Sequence, residues 1–384
     1  MHKYIIDTNE KLAALCAELS AHSVIAIDTE FLREKTYYAQ LCLIQLATEA
    51  HIICVDPLAC SELQPLLDVL YDPARVKVLH SARQDLELFY DLVGHLPQNI
   101  FDTQIAATLL GHGDQIGYAK LVKKMVGVDL DKAHTRTDWS RRPLSKEQVE
   151  YALDDVRYLL QIYHEQKDAL AKAGRSDWLQ RDFAALSDNA TYANPDATLW
   201  QRLRGSNILK GVQLCVLQAL AIWRETNARQ KNRPRRWILR DEILIDLARF
   251  MPVTHEQANK IRGLDAGSAR QLDAILPLIE KAKQLPPEQW PAQPKYTPLT
   301  PAQEALVDIF MAMVKLRAES NLISTNVLAS RKDLEAVVLG KQATAVMTGW
   351  RYQLVGKDID DFMQGRNRLG MQDGQVSIIP ETTE

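Results

Sequence analysis

The chain has 384 residues, 46% hydrophobic and 25% charged, the balance of an ordinary folded protein with room for about two or three domains. Its formal net charge of −3 excludes a globally basic nucleic-acid binder, so any basic surface has to be local. No apolar run approaches the ~18 residues of a membrane span, MHKYIIDTNEKL lacks the apolar core of a secretory signal, and Cys16, Cys42, Cys54, Cys60 and Cys215 form no CxxC pair, which leads us to expect a cytoplasmic protein with reduced thiols and no zinc site.

In chain order, VIAIDTEF, AQLCLIQLAT and AHIICVDPL read as three successive strands with short connections, an antiparallel meander. A helix over LQPLLDVLYD, the short strand VKVLH and a helix through QDLELFYDLVG follow. The extended QNIFD precedes TQIAATLLG, a helix stopped by Gly111, and GYAKLVKKMVG is a further short helix. One long helix is expected from an N-cap at Ser145 to Gly174. The sum is an α/β domain, residues 1–190, with a mixed sheet flanked by helices.

Beyond it strand signals nearly vanish. Residues 196–283 read as helices interrupted at KNRPRRW and FMPVT. Prolines 286, 287, 291, 294, 298 and 301 then make residues 284–299 an expected extended linker. Residues 300–371 read as helical, and 372–384 as a loosely held tail. The two helical blocks look like a diverged repeat: in one register Arg224 meets Arg317, Ile238 meets Leu328 and Leu244 meets Leu334.

The unusual residues are Asp28 and Glu30, two acids inside an apolar strand. Residues i and i+2 share a strand face, so the carboxylates stand side by side, and no Lys or Arg in the strand compensates them. A divalent cation is the obvious counter-charge, given further oxygen ligands. Asp85, in VLHSARQDLELF, sits on the first turns of a helix; a solvated surface acid is the competing reading. Tyr151 and Asp155 in EYALDDVRYLL lie one helical turn apart, with Asp154 about 100° further round towards solvent.

The order D-x-E, then Asp, then Y-x-x-x-D resembles the DEDDy branch of 3′→5′ exonucleases. The segments DTEFLREKTYY, FDTQIAA and TDWSRRPLSKEQVEYALDDVRYL resemble it too, and the full chain resembles most the bacterial ribonuclease D family. The resemblance implies an RNase H-like exonuclease domain followed by two all-α helical-bundle HRDC domains, at 196–283 and 300–371. It implies that Asp28, Glu30, Asp85 and Asp155 hold two Mg²⁺ or Mn²⁺ ions, and that Tyr151 orients the attacking water. The implied activity trims 3′ ends of tRNA precursors and other small structured RNAs, releasing nucleoside 5′-monophosphates, with the protein expected to be a monomer free of membranes.

Around this site Asp102 could position the metal ligands or simply cap a helix. Candidate substrate contacts are Thr29 and Leu32 by resemblance, His80 at a strand end, and Arg141 and Arg142 with Lys132 and Arg136 in the loop before the third motif. Trp139 in that loop reads as a packing anchor. Lys231, Arg233, Arg235, Arg236 and Arg240 cluster around Trp237, either a nucleic-acid patch or a solvated charged loop. A DNA exonuclease with the same chemistry, and a non-catalytic RNA-binding scaffold, are the alternatives. No polymerase region follows and no GxxxxGK[ST] loop is present, and all four acids persist, which disfavours both.

Overall fold

The computed structural model describes residues 3–131, 137–193, 195–264, 270–293, 297–341 and 344–381. Lys132, Arg136 and Pro294, named above, lie outside the described residues.

The N-terminal unit is built on a six-stranded sheet of strands β1 (Lys3–Ile6), β2 (Val24–Leu32), β3 (Gln40–Ala47), β4 (Ile52–Val55), β5 (Val76–Leu79) and β6 (Ile100–Asp102), in the spatial order β1-β4-β3-β2-β5-β6. The meander β2-β3-β4 is antiparallel as its short connections require, whereas β1 joins β4, and β5 and β6 extend from β2, all in parallel. β1 and the helix after it, α1 (Asn9–Leu19), were not anticipated. KYII is a short strand, and Thr8 caps the helix by accepting from the Lys11 amide.

Helices α2 (Gln64–Tyr71) and α3 (Arg83–Val93) join α1 in covering one face, with Leu12, Ile25, Leu66, Leu86 and Phe89 in a single core. On the other face Leu153, Val156 and Tyr163 pack with Ala26, Val78 and the buried Trp139. Helices α4 (Thr103–Thr108) and α5 (Tyr118–Met125) follow β6. The long helix expected to run to Gly174 is two: α6 (Lys146–Arg157) and α7 (Leu159–Lys172). The break has a side-chain cause. The Tyr118 hydroxyl donates to the Asp154 carbonyl at 3.1 Å and accepts from the Tyr158 amide at 3.2 Å. It stands between the two groups that would have closed that turn.

The first helical block packs around Val212–Gln230, Asp241–Phe250 and Leu272–Lys283, with Trp200, Leu217, Leu244 and Ile275 in its core. The segment after it is more than a linker. Trp290 packs against this core and donates to the Leu285 carbonyl, and Gln293 donates to the Ser206 carbonyl. The second block repeats the order of the first, in which the four-residue turn Arg235–Ile238 joins Val212–Gln230 to Asp241–Phe250: a long helix (Pro301–Ser320), a four-residue turn (Thr325–Leu328) and a helix (Arg331–Val338). It then diverges, with Lys357–Met363 and an antiparallel hairpin of β7 (Asn367–Gln372) and β8 (Gln375–Pro380). The residues read as an all-α end and a loose tail are therefore this hairpin. Asp373 and Gly374 turn it, both with positive φ.

Both blocks dock on the α/β unit. Phe310, Val314 and Leu328 share a core with Ala106, Leu109 and Leu170, and Trp178 stacks on Trp350 with ring centroids 4.6 Å apart. Gly111, at φ +73°, lets the second block approach: a Cβ there would lie 2.9 Å from the Leu322 carbonyl oxygen. The first block is held by Tyr37, in the loop after β2. Its hydroxyl bonds Glu225, Arg229 and Arg235, while Asn232 accepts from the amides of Tyr37 and Tyr38.

Candidate active site

At the centre of the sheet β2 delivers Asp28 and Glu30 to one face, as the strand period requires. Helix α6 crosses that face and brings Asp155 over them, held by Leu153 and Val156 on its buried side. One carboxylate oxygen each from Asp28, Glu30 and Asp155 lies within 4.8 Å of the others. Asp85 comes from the first turn of α3 and is buried; its carboxylate accepts from the Thr29 hydroxyl and stands beside this trio rather than within it. The cleft over these acids is also lined by Phe31, His80, Ser81, Gln84, Tyr118, Thr137, Trp139 and Tyr151. All five residues of the D-x-E, Asp and Y-x-x-x-D pattern therefore meet in one cleft.

Among the described residues no lysine or arginine lines it. Burial first, and then repulsion between neighbouring carboxylates, pushes Glu30 up to about 8 and Asp28 well above the ordinary carboxylate range. Burial and the adjacent Asp154 raise Asp155 to about 7. Burial likewise raises Asp85 to about 6 although the Thr29 hydroxyl opposes the shift. Such a cluster holds protons near neutral pH unless a cation replaces them. The donor set is oxygen only, with neither cysteine nor imidazole in the trio, and so fits a hard divalent cation.

The Asp102 carboxylate bonds the starts of two helices. Its carboxylate caps α4 by accepting from the amides of Gln104 (2.8 Å) and Ile105 (3.3 Å). It also accepts from Ser81 (3.1 Å) and Ala82 (2.8 Å), fixing the entry to α3 three residues before Asp85.

The candidate substrate contacts separate. Arg142 is turned inwards: its guanidinium donates to both oxygens of Asp56 and to the carbonyls of Cys42, Trp139 and Arg141, so its donors are spent within the fold. Arg141 is exposed, with Asp138 beside its Nε. His80 lines the cleft, but its Nδ1 meets the Thr103 hydroxyl and its Nε2 the Ile116 carbonyl, each at 2.9 Å. Burial pulls its pKa down, which suits a neutral imidazole held by both nitrogens. The Thr29 hydroxyl is occupied by Asp85, and Leu32 packs with Trp139 and Cys42, while Phe31 and Trp139 give the cleft its apolar wall. Arg235 is clamped to Glu225 and lies over the Tyr37 ring, whereas Arg236 is exposed with Glu242 at 3.3 Å. Sequence reasoning missed Phe31, Gln84 and Tyr118. Strict strand alternation would send Phe31 to the face opposite Glu30; a register shift between the two residues accompanies its place in the cleft. Nothing local marked Tyr118.

Comparison with known proteins agrees with this geometry. A family model described as 3′-5′ exonuclease matches residues 4–171, and one described as HRDC domain matches residues 213–279. Ribonuclease D of Sphingobium indicum is 39% identical over 387 residues, covering 98% of both chains. Ribonuclease D of Bartonella henselae is 37% identical over 382 residues, covering 98% of this chain and 94% of that one. The crystal structure of Escherichia coli RNase D, an exoribonuclease involved in structured RNA processing, superposes with a TM-score of 0.85 at 32% identity, covering 95% of this chain and 99% of that one. With similarity running the length of the chain and the acids gathered in the matched domain, the protein belongs to the ribonuclease D family and is a 3′→5′ exoribonuclease.

Proposed function

We propose that the protein trims the 3′ ends of tRNA precursors and other small structured RNAs by metal-dependent hydrolysis, one nucleoside 5′-monophosphate at a time. The observation that carries this reading is the half-buried acid trio of Asp28, Glu30 and Asp155, with buried Asp85 beside it and no lysine or arginine among the described lining of the cleft. In this reading the four carboxylates hold two divalent cations, Mg²⁺ or Mn²⁺. When bound, such ions activate water and neutralise charge on the scissile phosphate and the departing 3′ oxygen.

The chain's own residues supply the rest. Tyr151 sits one turn before Asp155 on α6, with its ring 6.1 Å from that of Trp139, and in this reading its hydroxyl would hold the attacking water. Asp102 keeps the first turn of α3 in place and so aims Asp85. Phe31 and Trp139 provide apolar wall for a terminal nucleoside. The repeated order of elements supports reading the second helical block as a diverged HRDC domain, and we propose that a single chain acts in the cytoplasm.

The test is digestion of a 5′-labelled RNA and its DNA counterpart, each with a free 3′ hydroxyl, in Mg²⁺, Mn²⁺ or EDTA. A ladder shortening from the RNA 3′ end, abolished by EDTA and by Asp28→Asn, is expected. Faster loss of the DNA, or digestion that survives EDTA, would overturn the reading.

A further inference from the structure

Helix α6 crosses one face of the sheet, and the layer beneath it is largely apolar: Ala26 of β2, Leu43 and Ala47 of β3, Ile52 and Cys54 of β4, and Ala152, Leu153 and Val156 of the helix. One residue of β3 breaks that pattern. Gln45 lies midway between Leu43 and Ala47, so the strand period turns it to the same face, and it is fully buried. Antiparallel pairing sets it directly opposite Asp28, just as Ala47 opposes Ala26 and Leu43 opposes Glu30. On its other side stands Cys54 of β4. Residues directly opposite in such a pair have Cβ atoms about 4.5–5.5 Å apart, which a glutamine side chain can bridge.

Neither amide atom of Gln45 has a hydrogen-bond partner. The other buried carboxamides among the described residues are anchored: that of Gln166 donates to the Thr103 carbonyl and that of Asn367 to the Asp358 carbonyl. A carboxamide held out of water and unbonded costs free energy, so a methionine or leucine of similar volume would serve packing better. What distinguishes the position is its neighbour. Gln45 brings two N–H donors to the acid that lies in register with it, and among the described residues no lysine or arginine lines the cleft above. Carboxylates that ligate a metal are themselves aimed by hydrogen-bond donors behind them.

We propose that Gln45 is a positioning residue of the nuclease site: its amide N–H donates to the Asp28 carboxylate when that group ligates a divalent cation, and so holds the acid in place beside Glu30 and Asp155. The proposal rests on the exoribonuclease reading and deepens it, since the residue acts through Asp28 and not on the RNA. Only the outer torsions of the glutamine have to turn, because the strand register already fixes the two backbones against each other.

The test uses the full chain. Gln45→Met conserves volume and removes the amide. Leu43→Met, at the same-face position opposite Glu30, alters packing in the same layer without removing a polar group and is the control. In isothermal titration with Mn²⁺ the Gln45→Met protein should bind roughly tenfold more weakly. Its metal-free melting temperature should equal or exceed that of the wild type, because an unbonded buried amide has been lost. With 5′-labelled RNA its kcat should recover as Mn²⁺ is raised, with KM for RNA unchanged, and Leu43→Met should bind Mn²⁺ as the wild type does. Unchanged Mn²⁺ affinity in Gln45→Met would overturn the proposal. So would a metal-free Gln45→Met protein that melts well below the wild type, or a Leu43→Met protein that loses Mn²⁺ affinity equally; either would make Gln45 a packing residue. A wild-type protein that takes up no Mn²⁺ would instead overturn the metal-dependent reading of the site, and the proposal with it.

Discussion

Replacing Asp102 by alanine removes the acceptor for four backbone N–H groups at once. The two at α4 amount to an N-cap, worth about 1–2 kcal/mol. Those of Ser81 and Ala82 would each contribute about 1.5–3 kcal/mol as bonds to a charged acceptor. Ser81 is exposed, so water can replace its bond, whereas Ala82 is fully buried. A net loss of about 3–4 kcal/mol follows, or about 6–16 °C in melting temperature for a unit of this size. Because the lost bonds define the start of α3, Asp85 loosens with it, and divalent-cation affinity should weaken about 10–100-fold, the usual effect of removing a group that orients a ligand. Asp102→Asn keeps an oxygen for Ser81, Gln104 and Ile105 and loses only the Ala82 bond, so it should recover most of the stability. Thermal melts and metal titration of the three proteins decide this. If Asp102→Ala melted within about 2 °C of the wild type and bound metal equally well, Asp102 would be no more than a bystander and the reasoning would be refuted.

The metal-free protein should lose stability as pH rises from 5 to 9. The carboxyls of Asp28, Glu30, Asp85 and Asp155 are all raised on folding, to about 8, 7 and 6 for Glu30, Asp155 and Asp85, so their folded forms are favoured while protonated and disfavoured once ionised. Saturating Mg²⁺ should flatten that fall, and melts that improve with pH in EDTA would contradict it. Tyr151→Phe should lower kcat about 10²-fold with KM little changed, the split expected when only water orientation is lost; a rise in KM alone would reassign the residue to substrate binding. Arg142→Ala should destabilise by about 3 kcal/mol, because it leaves the buried Asp56 unpaired. The salt dependence of RNA binding should not change, and a shallower slope would restore Arg142 as a phosphate contact.

The acids were legible because a same-face pair in an apolar strand has few structural uses, and the order of motifs followed from residue type and spacing alone. The strands of the meander were equally plain from their apolar runs. What escaped depended on contacts distant in sequence. The break between α6 and α7 is made by Tyr118, some forty residues away, and local periodicity across Tyr158 is uninterrupted. Arg142 and Arg235 look alike as loop cations in the sequence, yet each is claimed by an acid: Arg142 by Asp56, which only the fold brings near, and Arg235 by Glu225 on the preceding helix. The C-terminal hairpin is a different case. Asp373-Gly374 between RLGMQ and QVSII is a two-residue turn signal that the local sequence does carry. The basic cluster around Trp237 was visible, but its complement on α3 was not, because Arg83 and Glu87 share a cleft with it only after the helical block docks.

The central claim is that the carboxylates gathered in one cleft tolerate each other by sharing divalent cations. Isothermal titration of the metal-free protein with Mn²⁺ at pH 7, repeated in two buffers of different ionisation enthalpy, tests it most directly. The account predicts two ions per chain with net proton release, since Glu30 and Asp155 hold protons near that pH, and loss of binding in Asp28→Asn. Absence of binding, or binding that Asp28→Asn leaves intact and that releases no protons, would contradict it.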